Sequence, residues 1–376
     1  MTDREACIVF NLIPGIGFVK FTALSDKFGS PAAVFGKSVD ELRRVPGIGA
    51  ELSERIGGFD CEKELQSETE FAERAGVRII TLFDDAYPEV LRQLPDPPLC
   101  LYVRGRLPAF PERAVAVVGS RRMSAYGERM TKSIASDAAA AGFTVVSGLA
   151  YGIDTAAHRA VVEAGGVTVA VLGGGLANVH PRENIPLARD IISCGGAVIS
   201  EFPLNFPVSR TSFPRRNRIV AGLCRGTIVV EAGIDSGALI TARLALDFSR
   251  DVFAVPGRAD NPQSHGCHRL IREGATLIES FDDVLSDFGS GLLPGFQNLP
   301  SETGDVPSPG VYDPASASGL PPDQQRVLEL LEQGELSLDE LRERAGIETG
   351  ALLSALMRLE LKLLIERGAD QLYRRL

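Results

Sequence analysis

Nine short apolar runs occupy the middle of this sequence, most of them closed by Gly, Ser or Pro and separated by stretches of helical periodicity. They fall at residues 78–81, 99–103, 114–118, 143–147, 167–172, 197–200, 227–230, 252–255 and 275–278. Helical stretches lie between them, at 126–141 with Ser124 as a cap, 155–164, 185–193 and 239–248. Strand–helix alternation of this kind permits few solutions. Parallel strands need crossover connections, and the helices that supply them cover both faces of one sheet. Small residues at the strands' carboxyl ends mark the edge where open α/β sheets hold ligands. The expected fold class is therefore α/β, an extended Rossmann-like, mostly parallel sheet.

The flanks differ from this middle. Residues 1–64 repeat one pattern, Ile13-Pro14-Gly15-Ile16-Gly17 and Val45-Pro46-Gly47-Ile48-Gly49, each before a helix-compatible stretch (18–28 and 50–56). This is a helix-hairpin-helix signature, whose glycines permit a tight turn and expose amides at a helix start. It serves either to grip a DNA backbone or to pack a small helical module on its neighbour. After the sheet region (65–288), residues 289–319 are rich in Gly, Pro and Ser and read as a linker. Residues 320–376 show helices at 323–332, 337–345 and 349–362, then a hairpin around Gly368-Ala369-Asp370, the order of a winged helix. Its recognition helix offers only Arg358 and Lys362 beside Glu360, a poor surface for duplex DNA.

Charge narrows the function. The net charge of −10 argues against a basic coat, yet no acid lies between Glu201 and Glu231, where Arg210, Arg215, Arg216, Arg218 and Arg225 cluster. An acidic protein with one arginine-rich segment points to a confined anion site. Nothing resembles a membrane span or an N-terminal signal, and six scattered cysteines without a CxxC pair suit reduced thiols in the cytoplasm.

Five strand-end segments are candidates for chemistry. Gly119-Ser120-Arg121 follows the third run, where backbone, a hydroxyl and a guanidinium can meet phosphate; it is neither a dinucleotide fingerprint nor a P-loop. Gly148-Leu149-Ala150-Tyr151-Gly152-Ile153-Asp154 leads into a helix carrying His158. Asp154 and His158 form an acid–base pair or, as the lack of a nucleophile favours, a cap and a structural histidine. Gly173-Gly174-Gly175 precedes His180-Pro181-Arg182-Glu183-Asn184. Phe213-Pro214-Arg215-Arg216-Asn217-Arg218 combines charge with an aromatic face for a base. Ser236-Gly237 is a second anion-facing turn, or else Glu231 orients arginines from below. His265-Gly266-Cys267-His268 is too tight for a tetrahedral metal and reads as a loop of the cleft; no metal or other cofactor is expected.

In order, these segments resemble the DNA-processing protein A (DprA/Smf) family. The resemblance runs from Tyr87-Pro88 to Gly274-Ala275 through Asp96-Pro97-Pro98-Leu99, Gly119-Ser120-Arg121, Ser147-Gly148-Leu149-Ala150, Phe213-Pro214-x-Arg216-Asn217-Arg218, Val230-Glu231-Ala232 and Val255-Pro256-Gly257. Two departures are His180-Pro181 for a usual Tyr-Pro, and Cys267-His268 near a usual asparagine. The resemblance implies a non-catalytic mediator that binds single-stranded DNA, forms a homodimer and loads RecA recombinase past single-strand-binding protein during natural transformation or repair. It implies a DNA site of Gly119, Ser120, Arg121, Gly148 and the loop of Phe213, Arg215, Arg216, Asn217 and Arg218, with Arg182 and Asn184 on the neighbouring loop. The competing expectation is a Rossmann-type nucleotide hydrolase using Glu201, Glu231, Asp154 and His158.

Overall fold

A computed structural model describes the chain apart from residues 109–112, 210–211, 290–320, 333, 335, 348–351, 353–354, 357–358, 360–363, 368–371 and 376. The chain divides into two compact units, Met1–Asn298 and Leu299–Leu376.

The first unit is built on nine strands: β1 (Arg78–Thr81), β2 (Cys100–Gly105), β3 (Ala114–Val118), β4 (Thr144–Ser147), β5 (Thr168–Val171), β6 (Ala197–Ser200), β7 (Gly226–Val229), β8 (Asp251–Ala254) and β9 (Thr276–Leu277). They form one sheet in the order β1-β2-β6-β5-β4-β3-β7-β8-β9. Every pairing from β6 to β9 is parallel, and β2 and β1 extend the β6 edge antiparallel. The expected strands match these within about two residues. β3 (Ala-Val-Ala-Val-Val) is buried throughout, as a central strand covered by helices on both faces must be. From β3 the chain builds outward through β4, β5 and β6, then crosses back to place β7 on the other side of β3. Neighbouring carboxyl ends therefore send their connections in opposite directions between β3 and β7, which opens a crevice there.

The helical hairpins form because their turns are possible only for glycine. Gly15 and Gly47 have φ of 92° and 81°, and the following Gly17 and Gly49 start the helices Phe18–Phe28 and Ala50–Gly57. Capping boxes at Thr2/Glu5 and Ser38/Glu41 set two further starts. Phe10, Leu24, Leu42 and Ile56 are buried in one continuous cluster with Tyr102, Ala170, Leu172 and Val198 of the sheet region. Asn11 also donates from Nδ2 to the Glu201 carbonyl at 3.0 Å. The hairpins thus share the core of one sheet face.

In the second unit, helices Pro322–Leu331 and Leu338–Ala345 and the antiparallel strands Ile365–Arg367 and Tyr373–Arg375 enclose a separate core around Val327, Leu341 and Leu359. The order is that of a winged helix. Arg358, Glu360 and Lys362 of the expected recognition helix lie outside the described residues, as does the expected linker from residue 290.

Candidate nucleic-acid interface

The crevice at the β3/β7 switch is a cavity of about 730 Å³. Its first wall is the loop after β3. Ser120 donates its amide to the Glu231 carbonyl at 2.7 Å, and its Oγ accepts from the Arg122 amide at 3.1 Å. A Cβ on Gly119 would stand 2.6 Å from Ile153 and 2.9 Å from the Glu231 carbonyl, so only glycine lets the loop sit this low. Arg121 reaches out from it, exposed, with its guanidinium carbon 4.8 Å from the centre of the Phe213 ring, in cation–π range.

Phe213 belongs to a helix, Ser212–Gly222, where the sequence suggested a loop. The correction matters because a helix sends its arginines in different directions. Arg216 turns inward and is 5% exposed; its Nη1 donates to the Val171 carbonyl at 3.1 Å and lies 4.0 Å from Asp154 Oδ2. Burial draws the Arg216 guanidinium down and pushes the Asp154 carboxyl up, and each partly restores the other. Both line the crevice floor. Arg218 is buried elsewhere: it meets Glu201 at 2.5 Å and donates to the Asp96 carbonyl. Arg215 is exposed, pairs with the same Glu201 oxygen at 3.1 Å and lies over the Phe202 ring. Asn217 lines the crevice and donates to the Gly237 carbonyl at 3.4 Å.

The opposite wall is residues 233–238, where Ser236 caps the helix Gly237–Asp247 by accepting from the Ala238 amide, together with Gln263 and His265. Ile234 and Ile240 are exposed apolar groups on this wall, and Asp235 is its exposed acid. Ser236-Gly237 was legible as a strand-end turn; the two isoleucines and Gln263 carried no signal, being ordinary residues that only the fold brings to the crevice.

Of the expected site residues, the crevice gathers Gly119, Ser120, Arg121, Phe213, Arg216 and Asn217. Gly148 lies beneath it: a Cβ there would fall 1.2 Å from Arg216 Nη1. Its amide donates to Asp154, as does that of Ala150, so Asp154 closes the loop while Gly152 occupies the helix cap. Asn184 is buried and donates to the Leu149 carbonyl and Thr155 hydroxyl. Arg182 lines a different depression, as do Arg104 and Arg189.

The carboxylates also differ from expectation. Glu231 accepts from the Ser124 amide and hydroxyl at 2.8 and 2.5 Å and meets no arginine there; Glu201 is the acid that holds arginines. His158 is fully buried, with Nδ1 2.7 Å from the Thr168 hydroxyl, and burial lowers its pKa to about 3. The His265–Arg272 segment is a helix, not a loop. It sends Cys267 Sγ toward the Val229 and Val230 carbonyls and His268 toward the Gly257 carbonyl, while His265 lines the crevice.

Sheet, crevice and flanking helices define a Rossmann-like α/β protein with a crevice at the topological switch point. No helix among the described residues is long and apolar enough to cross a membrane. The family of DNA recombination-mediator protein A matches residues 78–289, more than half of the chain, and the chain belongs to this DprA/Smf family. A DprA winged helix domain matches residues 312–371, and a SAM-like helix-hairpin-helix tandem matches 11–56. Protein Smf of Escherichia coli (strain K12) is 39% identical over 299 residues, covering 80% of this chain and 78% of that protein. DNA processing protein DprA of Streptococcus pneumoniae is 41% identical over 245 residues, covering 65% and 83%. The X-ray structure of DNA processing protein A from S. pneumoniae has a TM-score of 0.65 at 35% identity, covering 77% of this chain and 98% of that one. A structure from Helicobacter pylori, described for its single-stranded DNA binding mode, has a TM-score of 0.50 at 28% identity and covers 56% and 95%.

Proposed function

We propose that the crevice binds single-stranded DNA and that the protein is a recombination mediator acting without chemical change to the strand. On this proposal it works in the cytoplasm as a homodimer, protects incoming strands and passes them to RecA recombinase, displacing single-strand-binding protein, in natural transformation or repair. The observation that carries this is the pairing of exposed Arg121 with half-buried Phe213 on the crevice rim. A guanidinium for phosphate beside an aromatic face for a base suits an unpaired strand, whose bases are free to stack, better than a duplex. Family membership and the strand-binding H. pylori relative support the same conclusion.

A nucleotide hydrolase is less well supported. Its four acid–base candidates are already occupied: Glu201 by two arginines, Glu231 by Ser124, Asp154, on the crevice floor, by loop amides, and His158 in the core. The deciding experiment titrates labelled single- and double-stranded oligonucleotides with wild type and Arg121→Glu at several salt concentrations, alongside a phosphate-release assay on a nucleotide panel. Preference for the single strand, lost in Arg121→Glu, is expected. Unchanged binding by that variant, or phosphate release, would remove the crevice assignment.

A further inference from the structure

The two walls of the crevice differ in chemistry. The wall after β3 brings the exposed Arg121 guanidinium, whereas neither arginine nor lysine lines the opposite wall, residues 233–238 with Ile240, Gln263 and His265. That wall instead carries two isoleucines. Ile234, in the loop before the helix Gly237–Asp247, is 58% exposed, and Ile240, in the first turn of that helix, is 40% exposed. Asp235 stands between them in the chain, exposed and without an ion pair among the described residues. A single exposed isoleucine is ordinary, but two lining one cavity make an apolar face, and such faces mark binding sites.

The occupant follows from what lies across the crevice. Phe213 and Asn217 are four residues apart on one face of the helix Ser212–Gly222, and Asn217 reaches the Gly237 carbonyl at 3.4 Å. That face therefore meets the start of the helix that carries Ile240, and the half-buried Phe213 ring and Ile240 border the crevice from adjoining helices. A nucleobase has two apolar faces and can lie between aromatic and aliphatic side chains. A phosphate on this wall would lose water to apolar groups and meet an unpaired carboxylate. Resting on the proposal that the crevice holds single-stranded DNA, we infer that residues 234–240 form its base-side wall: Ile234 and Ile240 take nucleobase faces, and Asp235 keeps phosphates away. The strand then lies with its backbone turned to Arg121 and its bases to the isoleucines. Isoleucine offers no hydrogen bond to a base edge, so the wall holds any base without reading sequence.

The test compares oligo-dT with an abasic oligomer of the same length and phosphate count. Both are titrated at 50 and 200 mM salt with wild type, Ile234→Ala/Ile240→Ala, Asp235→Asn and Arg121→Glu. All four substituted side chains are exposed, so melting temperatures should stay near that of wild type. Wild type should prefer oligo-dT. The isoleucine double variant should lose about fivefold on oligo-dT, the low end for loss of one base contact, and keep its affinity for the abasic oligomer. A cavity of 730 Å³ is about 9 Å across, and removing one charge at that distance from a phosphate in water should tighten binding about twofold. Asp235→Asn should show that gain on both ligands at 50 mM salt and less of it at 200 mM. Equal losses on both ligands, or none, in the isoleucine variant would overturn the base-side wall, as would equal binding of the two ligands by wild type. Unchanged or weaker binding by Asp235→Asn would overturn the role given to that acid. Both results leave the crevice standing where Arg121→Glu loses both ligands; insensitivity to Arg121→Glu would sink the crevice reading itself.

Discussion

Gly148→Ala is a small change with a large expected effect. The position needs no left-handed backbone; what it lacks is space, since the added methyl would fall 1.2 Å from Arg216 Nη1 and 2.1 Å from its Cζ. The guanidinium must leave. Its bond to the Val171 carbonyl, at 3.1 Å, is charge-assisted and worth about 1.5–3 kcal/mol. Asp154 is left buried without its cation, and breaking a fully buried pair costs about 3–5 kcal/mol. The 4.0 Å separation makes this a loose pair, and the displaced side chain reaches water in the crevice, so the lower end applies. A net destabilisation of about 2–3 kcal/mol is expected, roughly 3–5 °C in melting temperature for a unit the size of Met1–Asn298. Thermal melting of wild type, Gly148→Ala, Arg216→Ala and the double variant measures it. If the clash with Arg216 is the cause, the double variant melts no lower than Arg216→Ala alone. A melting temperature for Gly148→Ala within 1 °C of wild type, or full additivity in the double variant, would refute the steric account.

Other substitutions separate roles that the sequence runs together. Arg218→Ala leaves Glu201, which is 3% exposed, with only the exposed Arg215 as a cation and should cost about 3 kcal/mol of stability by denaturant titration, the low end for breaking a buried pair, whereas Arg215→Ala should cost under about 1 kcal/mol. Phe213→Ala removes one stacking face and should weaken single-strand binding about tenfold by fluorescence anisotropy, with melting little changed; a strand bound equally well would deny the ring its role. His158 has a pKa lowered from 6.5 to about 3, so the unfolded chain binds more protons between those values and stability falls as pH drops through that window. The slope is up to about 1.4 kcal/mol per pH unit, and denaturation midpoints of His158→Gln should decline less steeply from pH 6.5 to 5 than those of wild type.

Much of the architecture was legible because burial on two faces forces continuous apolar runs. β1, β3 and β6 appear in the sequence with the bounds they have in the structure. The crevice was legible in part, through glycine: Gly119 and Gly148 announce close approaches at strand ends. What was lost is direction. Between Phe213 and Arg218 the sequence shows a run of like charges, and only helical geometry separates a floor cation, Arg216, from a structural one, Arg218, and a rim one, Arg215. Glu201 and Glu231 were equally opaque. Each is an acid after a strand, and whether it meets arginines or a serine depends on residues 17 and 107 positions away.

The core of the helical hairpins is continuous with that of the sheet. Their Phe10, Leu24 and Ile56 are packed in one cluster with Tyr102, Leu172 and Val198, so opening one partner should destabilise the other. Calorimetry counts cooperative blocks rather than sequence modules, and residues Met1–Asn298 should give one heat-absorption peak. A weakened hairpin, for example Leu24→Ala, should lower that single peak as a whole instead of splitting off an early one.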